Sequence, residues 1–243
     1  MPIDVRKRKR KQIEQIFRKF LLNRVNTIRR LKMADLDINP FLIRILSHEL
    51  NLNNSEAIVR WLVSQRLERG TVTSFGIALQ DAAKVFSEGT GVEGADILKT
   101  KQGRHHHIQV KSGPNTIPKD LGVRIAQLLR SAQRRNRGSL ALYGMCYGNK
   151  ARVSSIVKKY VQEEGGIDWI SGKEFWEFIS DDPKCMEEIY DIAAEVGRTF
   201  KDPRGRSLSE VLEEKIRELT KEFEMIYGKS GSEMWKKLLE KNS

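Results

Sequence analysis

Cysteine is scarce: Cys146 and Cys185 are the only two in 243 residues. Neither their number nor their spacing suits a disulfide framework or a cysteine-based metal site, which points to a reducing, intracellular compartment. No window approaches the roughly 18 consecutive apolar residues of a membrane-spanning helix. The N-terminus is charged from the outset and lacks a continuous apolar segment, so no secretory signal is expected. Internal repeats are absent, and the longest biased stretch is a basic one. Acid is also short. Asp and Glu number 32 against 44 Lys and Arg, a formal charge of +12. Residues 1–32 hold twelve Lys or Arg against Asp4 and Glu14, a net of +10 in that stretch alone. Such a basic arm favours a polyanion, nucleic acid first and an anionic membrane surface second, with a merely solvated helix face as the bland alternative.

What is present reads as a folded protein. A 39% hydrophobic and 31% charged chain of this length can bury one sizeable core with a small appended subdomain. "RKQIEQIFRKFLLNRVNTIRRL" has apolar residues in steps of three and four, an amphipathic helix with a basic outer face. In "NPFLIRILSHEL", Asn39 can cap a helix with Pro40 at its first position. "NSEAIVRWLVSQRLERG" reads as a third helix closed by Gly70, followed by another over about 72–87. The division this implies is a basic helical region over 1–70 and a core over 71–243.

"ADILK" and "HHHIQVK" read as two strands joined by the turn "KQGR", a hairpin over 95–111. Residues 119–136 present Leu121, Ile125, Leu128 and Ala132 on one helical face, and "SLALYGMCYG" is a buried strand. "ARVSSIVKKYVQEE" is expected to be helical, and "IDWISGKEFWEFISDDP" a short strand and a helix. A long C-terminal helix starts where Ser207 and Glu210 have the spacing of a capping box. The order helix, strand, strand, helix, strand predicts an α/β core with a central mixed sheet flanked by helices.

The chemistry gathers at "HHHIQVKSGPN". Alternation along a strand places His105, His107, Gln109 and Lys111 on one face and His106, Ile108 and Val110 on the other. Asp96, on the preceding strand, can come alongside. A carboxylate, an amide oxygen and an ammonium then converge at a strand end, a set suited to metal-assisted phosphodiester hydrolysis with Mg²⁺. His105 and His107 share a face, but no further Cys or His has ligand spacing, so zinc is not expected. Cys146 is expected to be a small buried residue, and Trp169, Phe175, Trp176 and Phe178 to pack.

The stretch "GVEGADILKTKQGRHHHIQVKSGPNT" resembles the PD-(D/E)xK nuclease superfamily, whose signature is an acid followed on the next strand by an acid-x-Lys triplet. Asp96 matches the first acid and Lys111 the lysine, whereas Gln109 stands where the second acid is usual. With "NPFL", "TSFG" and "GKEFWEFI", the pattern over roughly 39–178 resembles type II restriction endonucleases. The resemblance implies a restriction-endonuclease-like α/β fold and Mg²⁺-dependent cleavage of double-stranded DNA at a short specific sequence. It also implies a bacterial or archaeal cytoplasm and a cognate DNA methyltransferase in the same system. Asp96 and Gln109 are then expected to bind the metal, with the Val110 carbonyl and Glu93 as further ligands, and Lys111 to organise the attacking water. The helix before the hairpin often adds a Glu in this superfamily; here Gln80 falls at that place, with Asp81, Glu88 and Glu93 as alternatives.

Ser112 and Asn115, in the loop after the catalytic strand, and Arg124, Arg130 and Arg134, on the helix beyond it, are the expected DNA contacts. A homodimer is expected, because two-fold symmetry matches a palindromic site and cuts both strands. No membrane partner is expected. A repair or junction-resolving nuclease on the same core, and a non-catalytic DNA-binding protein with a degenerate site, are the alternatives; Gln109 sustains the second.

Overall fold

In the computed structural model, residues 3–89, 92–114 and 117–242 are described. Along the chain these form α1 (Ile3–Arg30), α2 (Pro40–Leu46), α3 (Ser55–Lys84), β1 (Ile97–Lys101), β2 (Arg104–Lys111) and α4 (Lys119–Arg135). There follow β3 (Leu140–Met145), β4 (Asp168–Ser171), α5 (Lys173–Ser180), α6 (Cys185–Thr199), α7 (Leu208–Tyr227) and α8 (Gly231–Lys241). No described helix is long and apolar enough to cross a membrane.

The chain forms two compact units, one of Met1–Arg18 with Phe75–Arg198 and the other of Lys19–Ser74 with Thr199–Ser243. This differs from the continuous division at residue 70. Each unit is discontinuous, and the C-terminal helices group with the N-terminal helical segment instead of with the sheet. The reason is apolar packing: Ile216, Leu219, Phe223, Met234 and Leu238 share a core with Ile43, Ile58, Leu62 and Val63.

The unit of 1–18 and 75–198 is built on a four-stranded mixed sheet in the order β1-β2-β3-β4. The expected hairpin is present: β1 and β2 are antiparallel, with Ile97 opposite Ile108. Its two-residue turn places Gln102 at φ 50° and Gly103 at φ 73°, the left-handed pair that suits the twist of a tight hairpin. β2, β3 and β4 run parallel, with Gln109 opposite Tyr143 and Lys111 opposite Met145. α4 makes the crossover between β2 and β3 and covers one face of the sheet. It buries Ile125, Ala126 and Leu129 with Ala141, Tyr143 and Met145 of β3. Its buried stripe is Gly122, Ile125, Ala126, Leu129 and Ala132, so Leu121 of the expected stripe is left exposed. On the other face, Phe175 and Trp176 of α5 are fully buried, and the Trp176 indole donates to the Cys146 carbonyl at 2.7 Å. The segment expected to be helical over "ARVSSIVKKYVQEE" is a short 3-10 turn, Lys150–Arg152, and a π-helix, Val157–Glu163.

In the other unit, Asn39 caps α2 by accepting from Leu42 N–H at 3.0 Å, with Pro40 at the first position, as its sequence predicts. Ser207 and Glu210 form the expected capping box of α7. Gly70 does not close a helix, however; α3 runs through it to Lys84. A Cβ at Gly70 would touch the Arg24 guanidinium, which donates to Leu67 C=O at 3.1 Å. A glycine inside a helix costs about 1 kcal/mol, and the packing of this buried arginine against the helix overrides that preference.

Candidate active site

Asp96 stands immediately before β1, and its own N–H donates to Ile108 C=O at 2.8 Å. That bond sets its side chain beside Gln109 on the α4-covered face of the sheet. Oδ2 accepts from Val110 N–H at 2.9 Å and from Gln109 Nε2. Oδ1 faces the Lys84 ammonium at 3.7 Å. Lys111, two residues beyond Gln109 on the same face, is half-buried, and its ammonium makes no ion pair among the described residues. The acid and the amide expected at a strand end are in contact, and the lysine stands two residues farther along the same face of β2.

α3 closes this end of the sheet. A Cβ on Gly76 would lie 2.9 Å from Ser112 Oγ and 3.2 Å from its Cβ, so a larger residue there would push the helix or the Ser112 side chain aside. The Cys146 thiol, pushed up to about 12 by burial, points at Leu79 C=O at 3.8 Å. One turn on, Lys84 lies 3.3 Å from Asp81 and 3.7 Å from Asp96, so a single ammonium serves two carboxylates. Gln80, half-buried, precedes Lys84 by four residues and shares its helical face. Lys84 was not singled out from the sequence. The signal for it was there in the three-residue spacing from Asp81 on the helix before the hairpin.

The other acids considered for this site are engaged elsewhere. Glu93 is largely exposed and pairs with Arg135 at 3.6 Å. Glu88 binds Lys99 at 2.7 Å and Thr100 N–H at 2.8 Å. Burial pushes its carboxyl up, but these hydrogen bonds outweigh that and hold it below the usual range. Because Lys99 pairs with His106 in the hairpin register, that contact lies on the face opposite Asp96.

The expected DNA contacts fall into three groups. Arg124 and Arg134 are exposed on α4 and make no ion pair among the described residues. Arg130 instead donates to the carbonyls of Glu164, at 2.6 Å, and Gly165, fastening the end of the π-helix. Ser112 sits under Gly76, and Asn115 lies outside the described residues. Among the histidines, His105 Nδ1 contacts Thr100 Oγ1 at 3.2 Å. His107 is buried, and neither of its ring nitrogens has a partner among the described residues. Burial and the neighbouring charges of His105 and Arg135 hold its pKa below the ordinary histidine value.

The described residues hold no group of three or more His, Cys, Asp or Glu that could hold a metal ion. The donors at this strand end are of another kind: the Asp96 carboxylate, the Gln109 amide and the main chain of Val110. Turning the Gln109 amide about its terminal bond presents Oε1 in place of Nε2, an assignment that follows the hydrogen-bond network. Val110 N–H reaches Asp96, so its C=O, which points the same way along a strand, faces the same edge. This is an all-oxygen set with one formal charge, and it fits a hard divalent cation that keeps several waters. The Lys111 ammonium, two residues on along the same strand face and without an ion pair among the described residues, can hold an anionic phosphate or orient a water.

A family model described as type II restriction endonuclease EcoO109I matches residues 7–199. No curated protein matches the chain. Type II restriction endonucleases generally use divalent metal ions, which agrees with the oxygen donors gathered at Asp96. The matched span takes in the whole sheet, the helix behind it and the Asp96–Gln109–Lys111 set, and well over half the sequence. The chain belongs to the family of the type II restriction endonuclease EcoO109I.

Proposed function

We propose that the chain is a Mg²⁺-dependent, site-specific endonuclease of double-stranded DNA on a PD-(D/E)xK core in its Q-x-K form. The observation that carries the reading is the contact of Asp96 with Gln109, with Lys111 two residues on along the same face and without an ion pair among the described residues. Asp96 would hold Mg²⁺ together with Gln109 Oε1 and the Val110 carbonyl. When bound, the ion supplies Lewis-acid stabilisation of the charged phosphoryl group and a lowered pKa for a water. The protein does the rest. The Val110 N–H fixes the Asp96 carboxylate in orientation, and the Lys111 ammonium positions the water and offsets charge on the non-bridging oxygens. Arg124 and Arg134 would clamp backbone phosphates, which positions the duplex without reading its sequence. A homodimer would present two such sites to a palindrome, and a cognate methyltransferase would protect the host DNA in a bacterial or archaeal cytoplasm.

The test is digestion of supercoiled plasmid in Mg²⁺ and in EDTA, with the ends mapped. Discrete fragments in Mg²⁺ alone are expected, lost in Asp96→Ala and Lys111→Ala while both variants still bind the duplex. Near-normal cutting by either variant would remove the proposed site.

A second reading rests on Lys84. Its ammonium, 3.7 Å from Asp96, already supplies a cation to a site in which an amide replaces one acid. A chain built that way would bind specific DNA without cutting it. Intact plasmid in Mg²⁺, with sequence-specific binding retained, identifies that case.

A further inference from the structure

In the unit of 19–74 and 199–243, some arginines are matched to acids. Arg29 pairs with Asp202, and Arg60 binds Glu213 at 2.6 Å and Glu56 at 3.2 Å. Three others of the same unit come together, lining one cavity of about 460 Å³ between α1 and α3. Arg24, Arg30 and Arg66 make no ion pair among the described residues. Arg24 is the most telling, because it is only 7% exposed. One of its nitrogens donates to Leu67 C=O at 3.1 Å, and no carboxylate among the described residues approaches within 4 Å. Burial alone lowers its pKa. Arg30 and Arg66 are exposed, and the amides of Asn23 and Asn26 add neutral donors to the wall. The single acid there is Asp35, whose carboxylate accepts from Lys32 N–H at 2.9 Å.

A desolvated guanidinium without a counter-ion is unfavourable, and the cost is relieved when an anion enters beside it. Three guanidiniums with planar forks of N–H donors match the oxygens of a phosphate better than they match a monovalent point charge. The wall carries three positive charges against one negative, so the occupant that balances it is an anion with several acceptor oxygens. We propose that this cavity is a phosphate-binding site in which Arg24 is the buried anchor and Arg30 and Arg66 close on the anion from the rim.

The phosphate group has two possible sources, a phosphodiester of nucleic acid or a free phosphate. The site stands whether or not the chain cuts DNA; only its assignment to the DNA backbone rests on the function proposed above. That assignment would make part of the basic N-terminal helix a built contact at a fixed place, in addition to a diffuse attraction.

The experiment uses the full chain and two variants, Arg24→Gln and the double variant Arg30→Gln/Arg66→Gln. The double variant changes only exposed side chains, so it keeps the test intact if Arg24→Gln folds poorly. Thermal unfolding is followed in sodium phosphate against sodium chloride at matched ionic strength. Binding of a short duplex is followed in EDTA across a salt series. In the wild type the unfolding midpoint should rise with phosphate and saturate, and both variants should lose that rise. Without phosphate, Arg24→Gln should unfold no lower than the wild type, since the amide can still donate to Leu67 and the desolvated charge is gone.

If the phosphodiester is the source, the double variant should bind duplex roughly tenfold more weakly at fixed salt. Its slope of log K against log salt should fall by about one, with no change in sequence preference. A lost phosphate response with unchanged duplex binding upholds the site and assigns it to free phosphate. A wild-type midpoint indifferent to phosphate, with duplex binding equal in the double variant, overturns the proposal. Plasmid cleavage in Mg²⁺ is scored in parallel, so failure of the nuclease reading shows up separately from failure of this site.

Discussion

If the proposed function holds, replacing Gln109 by Glu should lower the Mg²⁺ needed for cleavage, with a sign and scale that follow from the charges around Asp96. Gln109 Nε2 donates to Asp96 Oδ2, so a second carboxylate there faces the first across hydrogen-bond distance. Without metal the two charges repel, and the variant should unfold at lower temperature than the wild type in EDTA. The loss should grow as pH rises above about 5, because one carboxyl of the pair then has to ionise against the other. A divalent ion reverses the balance. A unit charge about 4 Å from another is worth ~1 kcal/mol at the dielectric of water and several times more in a protein interior. The Asp96 side chain is a quarter exposed, nearer the watery limit. A doubly charged ion then gains at least ~2 kcal/mol, or roughly thirtyfold in the Mg²⁺ midpoint. Gln109→Ala should move the midpoint the other way, leaving Asp96 with Val110 N–H and Lys84 alone. The assay is cleavage of supercoiled plasmid over a Mg²⁺ titration, beside thermal unfolding in EDTA and in Mg²⁺. Equal Mg²⁺ midpoints for wild type, Gln109→Glu and Gln109→Ala would show that residue 109 is not a ligand.

Three further outcomes follow from the same geometry. Lys84→Met should lower the Mg²⁺ midpoint, because it frees Asp96 from a competing cation; a higher midpoint, with duplex binding unchanged, would instead give Lys84 a positive part in the reaction. His107→Leu should raise the unfolding midpoint by a few °C, since a buried polar group without a partner costs ~1–3 kcal/mol. The wild type should also lose stability relative to this variant as pH falls below 6.5, where the unfolded imidazole takes up a proton that the folded one resists; equal midpoints across that range would mean that water satisfies the ring. Burial pushes Cys146 up to about 12 and Cys185 up to about 11, so a thiol reagent at pH 8 should react with neither until the protein unfolds; prompt modification of one thiol would show that its surroundings open in the native state.

Local signals were the legible ones. Period-two alternation in "HHHIQVK", with Gln and Gly in the turn before it, located the hairpin, and its register then placed Gln109 beside Asp96. Asn39 with Pro40, and Ser207 with Glu210, marked helix starts because a cap needs only its own few residues. Partnerships across the chain were not legible. Gly70 reads as a helix stop until Arg24, 46 positions earlier, is seen against that turn. Arg130 looks like a phosphate clamp until Gly165 and Glu164 are seen to accept from it. The apolar stripe of α7 predicts a packed helix but carries no address, so its place beside α2 and the first part of α3 had to come from the fold. Lys84 was missed for the same reason: a lysine on a helix reads as solvated until an acid from another element stands 3.7 Å away.

The charge at the strand end has a consequence for the order in which the site assembles. Asp81 and Asp96 carry two negative charges, and Lys84 and Lys111 two positive ones, so the ionic groups of the free site sum to zero. A divalent cation entering a neutral site must shed part of its hydration shell with little Coulomb return, and Lys84 repels it besides. A phosphodiester changes this. Its negative charge is drawn to Lys111, which has no acid partner among the described residues, and its oxygens add ligands that the amide of Gln109 cannot match in charge. Substrate and metal should therefore bind cooperatively, each raising the affinity of the other by the same factor. On the proposed function, the site would then be charged for catalysis only when DNA is present. A second acid at position 109 would hold the cation in the absence of DNA and give up that dependence, which gives the amide a physical role beyond that of a weakened carboxylate.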